Sequence, residues 1–328
     1  MTARASTGKR PFVLRAGISS VSDLRGGFGL GIGNVYYVIK TNEAYYSQFL
    51  ADHQGTYSDG SAIVYGATAA SSDTAIQAAL DACVEGRNDY VVVMPSDSDY
   101  DLTAALTMSK KCVHLICPAG LGYERGATAA CRLEQTTAAT SIIEVSDSSI
   151  EIAGFYLKPY IGCSHITLAA TSYSPNIHHN TFVLKWTTTN LGAIVCSGDG
   201  GAWGSVAEYN WFISQAGDDQ TCASIISVGA SATGARVCYN DFFIGDGNTA
   251  TVGISNAATK GTTIGNNFMV AAGDGTITTC VLQGAWGNAY DNKGSVGADA
   301  LIDGGTDDIS AVNNMNSVSG GTIADDLD

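Results

Sequence analysis

Charged side chains are scarce in this chain of 328 residues, where Asp, Glu, Lys and Arg together make up 14% of the sequence. A soluble domain typically has roughly 25%, and long amphipathic helices need more Glu, Lys and Leu than this composition supplies. Glycine is abundant instead, at 39 residues. This composition is typical of many short strands joined by tight turns, and it argues against a mainly helical protein.

Long apolar runs are also missing. No stretch of about 18 apolar residues occurs, and residues 1–30 lack the apolar segment of a secretory signal. We therefore expect synthesis in a cytoplasm, no export by the usual route and no membrane insertion. The nine cysteines are odd in number, dispersed and never spaced as Cys-x-x-Cys. Their pattern favours buried thiols over a disulfide framework or a zinc site, and we expect no metal and no cofactor.

The net charge of −15 is unevenly distributed. No Lys or Arg occurs from residue 294 onward, so residues 316–328 form an acidic tail, whereas residues 1–25 are basic. A basic segment can dock on an acidic partner surface or remain a solvated terminus. We expect residues 1–70 to be an attachment segment, and the acidic body argues against nucleic-acid binding. The candidate attachment residues are Arg4, Lys9, Arg10 and Arg15.

An Asn-x-Phe signature repeats along the second half of the chain. The segments 177–182, 207–212, 237–242 and 263–268 align without gaps, with Phe spacings of 30, 30 and 26. A copy without the Asn ends at Phe155, which lies 27 residues before Phe182. The period is too short for a propeller blade and indicates a solenoid with two or three short strands per coil. We predict an all-β protein, a single right-handed parallel β-helix over residues 71–315.

The repeated residues have a structural explanation. Equivalent residues of stacked coils lie about 4.8 Å apart, so the Phe side chains should stack inside and the Asn side chains should form an amide ladder. The Asn residues would also tolerate the left-handed backbone of a sharp turn. We expect these residues to be structural: Asn180, Asn210, Asn240, Asn266, Phe155, Phe182, Phe212, Phe242 and Phe268.

A helix is predicted at residues 73–84, ahead of the first coil. Ile76, Ala79, Leu80 and Cys83 fall on one helical face, and Gly86 ends the pattern. Because the open end of a solenoid must be covered, we expect this helix to cap the first coil.

The block from residue 74 through Pro95, Tyr100 and Leu102 to the strand around Val113 resembles the first coils of pectate-lyase-like β-helix proteins. The similarity extends over residues 70–315 and points most closely to bacteriophage virion proteins: tailspikes, tail fibres and capsid decoration proteins. The resemblance implies a homotrimer that is attached by its N-terminal segment to other virion proteins and displayed on the virion surface.

Three aspartates are the candidates for a catalytic site. Asp218, Asp246 and Asp274 recur at spacings of 28 and 28 and follow Gly. If stacked, they could bind a cation or act on sugar, although Gly-Asp is also ordinary turn chemistry. Basic partners are scarce nearby, and adjacent His178 and His179 should point to opposite faces of a strand. The sequence therefore favours a non-enzymatic protein, with a polysaccharide hydrolase or lyase as the alternative.

Aromatic side chains beside the repeat suggest a surface role. Tyr209 and Tyr239 occupy the same coil position, and Trp211 lies next to it. They could hold the apolar faces of sugar rings or pack between protomers, and we favour packing. The leading hypothesis is a structural virion protein; the alternatives are a polysaccharide-degrading tailspike acting on host glycan and a glycan-binding module.

Overall fold

The computed structural model describes residues 33–70, 72–118, 131–138, 141–160, 162–185, 192–196, 204–214, 221–245, 247–270, 276–295, 300–304, 309–316 and 324–325. These residues form short strands and two helices, α1 (Tyr46–Asp52) and α2 (Ser72–Ala82). No helix in these ranges is long and apolar enough to cross a membrane.

The strands are numbered in chain order. They are β1 (Val35–Lys40), β2 (Val64–Ala67), β3 (Asp89–Val93), β4 (Tyr100–Leu102), β5 (Leu106–Met108), β6 (Val113–Ile116), β7 (Cys131–Gln135), β8 (Ser141–Val145), β9 (Glu151–Ala153), β10 (Phe155–Lys158), β11 (Ser164–Leu168), β12 (Asn176–His178), β13 (Thr181–Leu184), β14 (Ile194–Cys196), β15 (Ser205–Glu208), β16 (Trp211–Ser214), β17 (Thr221–Val228), β18 (Arg236–Cys238), β19 (Asp241–Ile244), β20 (Thr249–Asn256), β21 (Thr262–Ile264), β22 (Asn267–Val270), β23 (Thr276–Gln283), β24 (Asn288–Tyr290), β25 (Lys293–Ser295), β26 (Ala300–Asp303), β27 (Ser310–Val312), β28 (Met315–Asn316) and β29 (Ala324–Asp325).

Three parallel sheets run along the molecule. The first has the order β2-β1-β3-β6-β9-β12-β15-β18-β21-β24-β27, the second runs from β4 to β28 in steps of three strands, and the third from β5 to β29 in the same way. Each coil contributes one strand to each sheet, and the chain completes about eight turns. The predicted all-β parallel solenoid is confirmed.

The core consists of columns of like residues, because each strand pairs with the same position of the next coil. In the third sheet one inward column is almost entirely β-branched and fully buried. β-branched side chains suit this position because they pack well on a pleated surface. The column contains Ile143, Ile166, Ile194, Ile226, Ile254, Val281 and Ile302.

Aromatic rings form an inward column in the second sheet. Phe182, Phe212, Phe242 and Phe268 stack with centroids 4.6, 4.7 and 4.7 Å apart. Phe155 is not a member, contrary to the alignment, because Leu157 is the register partner of Phe182. The backbone N–H of Phe155 instead donates to Asn180 Oδ1 at 3.0 Å, so Phe155 takes the place of a ladder Asn in its coil.

Buried Asn side chains link successive coils. Nδ2 of Asn180 donates to Oδ1 of Asn210 at 3.1 Å, and the contact repeats from Asn210 to Asn240 and from Asn240 to Asn266 at 3.0 Å. Each Oδ1 also accepts the backbone N–H of the preceding Asn. The same bonds continue to Asn292 and Asn314, in the degenerate copies of the repeat.

The left-handed residue of the turn is the one before each Asn, and not the Asn itself as we expected. These residues leave the first sheet and have positive φ angles between 53° and 84°. The Asn side chain can therefore accept backbone N–H bonds at the corner, where a strand ladder would be interrupted. The column consists of Gly154, His179, Tyr209, Tyr239, Gly265, Asp291 and Asn313.

The N-terminal end of the solenoid is covered by α2, close to its predicted bounds. Ile76, Ala79 and Leu80 are buried in the core, and α2 contacts β4 and β5, the end strands of the second and third sheets. Asp73 fixes the start of the helix, since its Oδ2 accepts from Thr103 N at 3.0 Å and Thr103 Oγ1 at 2.6 Å.

The segment predicted to be an attachment arm, residues 1–70, contains part of the solenoid. β1 pairs with β3 on one side and with β2 on the other, so both strands extend the first sheet. Apolar side chains explain the pairing, because Tyr36, Val38 and Ile39 are fully buried. A structural boundary therefore does not fall at residue 70.

We expect the Asn ladder to dominate the stability of the middle coils. Asn240→Ala removes the acceptor of Asn210 and the donor to Ala207 O and Asn266 Oδ1. Since each buried group left unpaired costs about 1–3 kcal/mol, the free energy of unfolding in urea should fall by about 3 kcal/mol or more.

The matched control is Asn267→Ala, on the outer face of the next coil. Asn267 is partly exposed and its side chain donates to Asp241 Oδ1 at 2.7 Å. Its loss should cost under about 1 kcal/mol. Equal losses in the two variants would contradict a structural role specific to the ladder.

Candidate functional site

Several residues predicted to be functional lie outside the described part of the chain. They are the aspartates Asp218, Asp246 and Asp274 and the attachment residues Arg4, Lys9, Arg10 and Arg15. Their roles stay predictions. The described residues contain other clusters of polar and aromatic groups, and these lie on the outer faces of the first and second sheets.

The predicted surface aromatics form a stacked column at the corner between these sheets. Tyr209 and Tyr239 stack at 5.1 Å, and His179 stacks on Tyr209 at 5.4 Å. The Tyr239 ring also lies close over Gly265, where an added Cβ would be 2.5 Å from it. The ring faces are thus covered by one another, and the two tyrosines, each 43% exposed, present mainly their edges to solvent. Trp211 lies outside this column, on β16 opposite Asp241.

The stacking of these rings limits the kinds of ligand that the column can bind. A sugar ring packs its apolar face on the face of an aromatic ring, and here those faces are already used. Ring edges with hydroxyl groups suit hydrogen bonds and packing against another protein surface. The column is therefore better suited to a protein interface than to sugar stacking.

A second cluster centres on Glu151, on the outer face of the first sheet. Its Oε2 lies 2.6 Å from His114 Nδ1 and its Oε1 lies 2.8 Å from His178 Nε2. His114 Nε2 lies 2.6 Å from Asn88 Oδ1, and Tyr90 stacks on the His114 ring at 4.2 Å. The carboxylate therefore bridges imidazoles of the two neighbouring coils.

The strand register creates this cluster. His114 on β6 and Glu151 on β9 are direct register partners. On β12 the register partner of Glu151 is Asn176, and His178 lies two residues further along on the same face. Burial by itself would raise the pKa of Glu151, but the hydrogen bonds and charges of His114 and His178 outweigh it and lower the pKa to about 2. Glu151 is therefore a fixed anion at neutral pH.

His178 and His179 lie side by side, contrary to our expectation that they point to opposite faces. Their Nδ1 atoms are 2.8 Å apart. The reason is backbone conformation: His178 ends β12, whereas His179 has a φ of 54° and turns the chain instead of continuing the strand. Burial and the neighbouring His178 lower the pKa of His179.

A carboxyl pair lies on the outer face of the second sheet, in its first coils. Burial and a hydrogen bond to Glu134 raise the pKa of Asp99. Burial also opposes ionisation of Glu134, but hydrogen bonds from Asp99 and Lys158 outweigh it and lower the pKa of Glu134. Arg132 Nε lies 2.5 Å from Asp99 Oδ1, and Lys158 Nζ lies 2.6 Å from Glu134 Oε1. The two pKa values are thus shifted in opposite directions, that of Asp99 upward and that of Glu134 downward, while the Arg132 guanidinium opposes the upward shift of Asp99.

Sequence reasoning missed both clusters. A signal existed, because Glu134 and Glu151 interrupt apolar strands at outward positions. Asp99 and His114 lie 35 and 37 residues from their partners, outside the repeat of 26 to 30 residues. His178 lies 27 residues from Glu151, so this one pairing could have been found from the repeat. The described ranges contain no group of three or more His, Cys, Asp or Glu side chains that could hold a metal ion.

The fold defines the class of the protein, a parallel β-solenoid. No family model and no curated protein matches the chain. Among solved structures it is similar to Geobacillus virus E2 ORF18, with 12% sequence identity and a TM-score of 0.33. The similarity covers 76% of this chain and 56% of that one, so this chain spans about half the length of the viral protein. At this identity and score the likeness supports no conclusion about function.

We expect Glu151 to make stability depend on pH. Its folded pKa, about 2, lies below its ordinary value of 4.5. A lowered pKa contributes stability above the unfolded pKa, and this contribution is lost as the pH falls through the folded value. Compared with Glu151→Gln, the wild type should be more stable by about 2 kcal/mol near pH 6, and the difference should shrink between pH 4.5 and 2.

Urea unfolding at several pH values measures this difference. The control is Glu144→Gln, a partly exposed glutamate of β8 in the third sheet, which should change stability by less than about 0.5 kcal/mol. A stability difference for Glu151→Gln that stays constant from pH 6 to 2 would show that the carboxylate is not held by its histidines.

Proposed function

We propose that this protein is a non-enzymatic structural protein of a bacteriophage virion, of the capsid decoration, tail spike or tail fibre type. The observation that carries the proposal is the continuous interior of the solenoid, with a ladder of buried Asn side chains and a stack of buried Phe rings in register from coil to coil. Such an interior makes a rigid body, which suits display at a particle surface.

Two further features support the proposal. The segment from residue 74 to the strand at Val113 resembles the first coils of pectate-lyase-like β-helix proteins, a group that includes virion proteins. The column of stacked ring edges at Tyr209 and Tyr239 fits a protein contact, either with sister copies in a homotrimer or with other virion proteins. In this proposal the basic residues of the N-terminal segment dock on the particle.

Attachment is tested with particles that lack the protein. Purified full-length chain should bind such particles and co-sediment with them, and a variant without residues 2–25 should not. A second variant, with Arg4, Lys9, Arg10 and Arg15 changed to Gln, separates charge from length, because its binding should weaken and the weak binding should no longer depend on salt. Undiminished co-sedimentation of the deletion variant would refute the attachment role.

A second function is favoured by the carboxyl pair Asp99 and Glu134. Hydrolysis of a glycosidic bond requires a protonated carboxyl as acid and an ionised one as base or nucleophile. Environments that push the two pKa values apart provide both. A hydrogen-bonded pair is, however, closer than the roughly 5–5.5 Å of retaining enzymes, so substrate would have to separate the two groups. This function therefore ranks second.

Oligosaccharide release from host surface glycan tests the second function. If Asp99 is the acid and Glu134 the base, Asp99→Asn and Glu134→Gln should each lower the rate of release by about 100-fold or more. Glu144→Gln, on another sheet, should not affect it. Release that survives both changes would exclude the pair, and a complete absence of release with the wild type would leave the structural function.

A further inference from the structure

The Nδ1 atoms of His178 and His179 meet at the corner of the solenoid, 2.8 Å apart. Both side chains are partly exposed, so the space beside them is open to solvent. Two nitrogen atoms at this distance form a hydrogen bond only if one of them carries a proton and the other offers its lone pair. When both nitrogens are unprotonated, two lone pairs lie on atoms close enough to be shared by one cation.

Glu151 determines which nitrogen of His178 offers a lone pair. Its Oε1 lies 2.8 Å from His178 Nε2, and a carboxylate that is ionised at neutral pH can only accept. Nε2 of His178 must therefore carry the proton, which in the neutral ring leaves the lone pair on Nδ1. The remaining oxygen of Glu151 is occupied by His114 Nδ1 at 2.6 Å, so the carboxylate is fixed in place.

The hydrogen bond from His178 to Glu151 is of the kind found behind metal-bound histidines. A histidine that binds a metal through one nitrogen usually donates its other N–H to a carboxylate, which sets the tautomer and the ring orientation. His179 is positioned independently, by its left-handed backbone with a φ of 54° and by stacking on Tyr209 at 5.4 Å. Both imidazoles are thus oriented before any ion arrives.

We propose that His178 and His179 bind one divalent transition-metal ion through their Nδ1 atoms, with Glu151 as the positioning residue of His178. Imidazole ligands select Zn²⁺, Ni²⁺ or Cu²⁺ over Mg²⁺ and Ca²⁺. At metal–nitrogen distances of about 2.0–2.1 Å, tetrahedral ligands lie about 3.3 Å apart, so a small rotation of the rings would admit the ion. Water completes the coordination, as the described residues provide no third side chain.

The surrounding charge favours a cation. Glu208 on β15 is the register partner of His178, and its side chain is 23% exposed. Glu151 is ionised on the other side. Arg236 lies 3.9 Å from Glu208 and offsets part of its charge. Acidic side chains on both strands that flank β12, Glu151 and Glu208, therefore lie beside His178.

Calorimetric titration of the full chain with NiCl₂ and with ZnCl₂ at pH 7.5 tests the proposal. We expect one ion per chain and no binding of Mg²⁺. His179→Asn keeps a residue that tolerates the left-handed turn, and it should weaken binding by at least 10-fold, as should His178→Gln. Glu151→Gln removes no ligand but should weaken binding by about 10–100-fold, and Glu151→Asp should restore part of it.

The control is His53→Ala, because His53 is a histidine at the end of α1, and its Nδ1 is within 3.0 Å of Phe49 O. It should leave binding unchanged. Circular dichroism confirms that each variant is folded, and electron paramagnetic resonance of bound Cu²⁺ should show two coupled nitrogens in the wild type and one in His179→Asn. Unchanged affinity in Glu151→Gln, or equal binding by wild type and His179→Asn, would mean adventitious surface binding and would overturn the proposal without affecting the structural function.

Discussion

The equivalence of positions in successive coils constrains every other feature of this structure. A parallel strand pairs with the same position of the next coil, about 4.8 Å away, so the nearest neighbour of a side chain is its own counterpart. Two like charges at that distance repel by about 1–4 kcal/mol, depending on how exposed they are. Apolar, aromatic and amide side chains tolerate such stacking, and this accounts for the low share of charged residues, 14%.

Several charged residues on the outer faces follow the same constraint, because a residue of opposite or titratable charge lies beside them in the next coil. The described strands also pair acids with acids, Asp101 with Glu134 and Asp303 with Asp325. In the first sheet Glu151 lies between His114 and His178, and in the second sheet Glu134 is paired in register with Lys158. Mixed columns of this kind bring acids, bases and imidazoles together. Clusters with altered pKa values are therefore a product of the solenoid geometry, and their presence is not sufficient evidence for catalysis.

The sequence was informative wherever the Asn-x-Phe pattern is kept. Phe182, Phe212, Phe242 and Phe268 and the Asn residues two positions earlier could be predicted from this pattern, although the spacing changes from 30 to 26 residues. Phe155 was misplaced because its coil is two residues shorter than the alignment assumed, so that Leu157 takes the Phe position. The pairing of His114 with Glu151, 37 residues apart, depends on coil length and on strand register, which the repeat does not determine.

In the column of left-handed residues at the corner, structural needs explain every described residue type except the histidine at position 179. A left-handed backbone costs most residues about 1–2 kcal/mol and costs Gly little, and Gly does occupy this column at positions 154 and 265. His179, Tyr209 and Tyr239 accept the cost at the three positions between them, where ring stacking offsets part of it. Stacking alone does not require an imidazole, however, since a third Tyr would continue the column. The His at position 179 is therefore better explained by its contact with His178, which is held by Glu151. Among the stacked residues of this column, His179 is the one whose side chain the solenoid itself does not require.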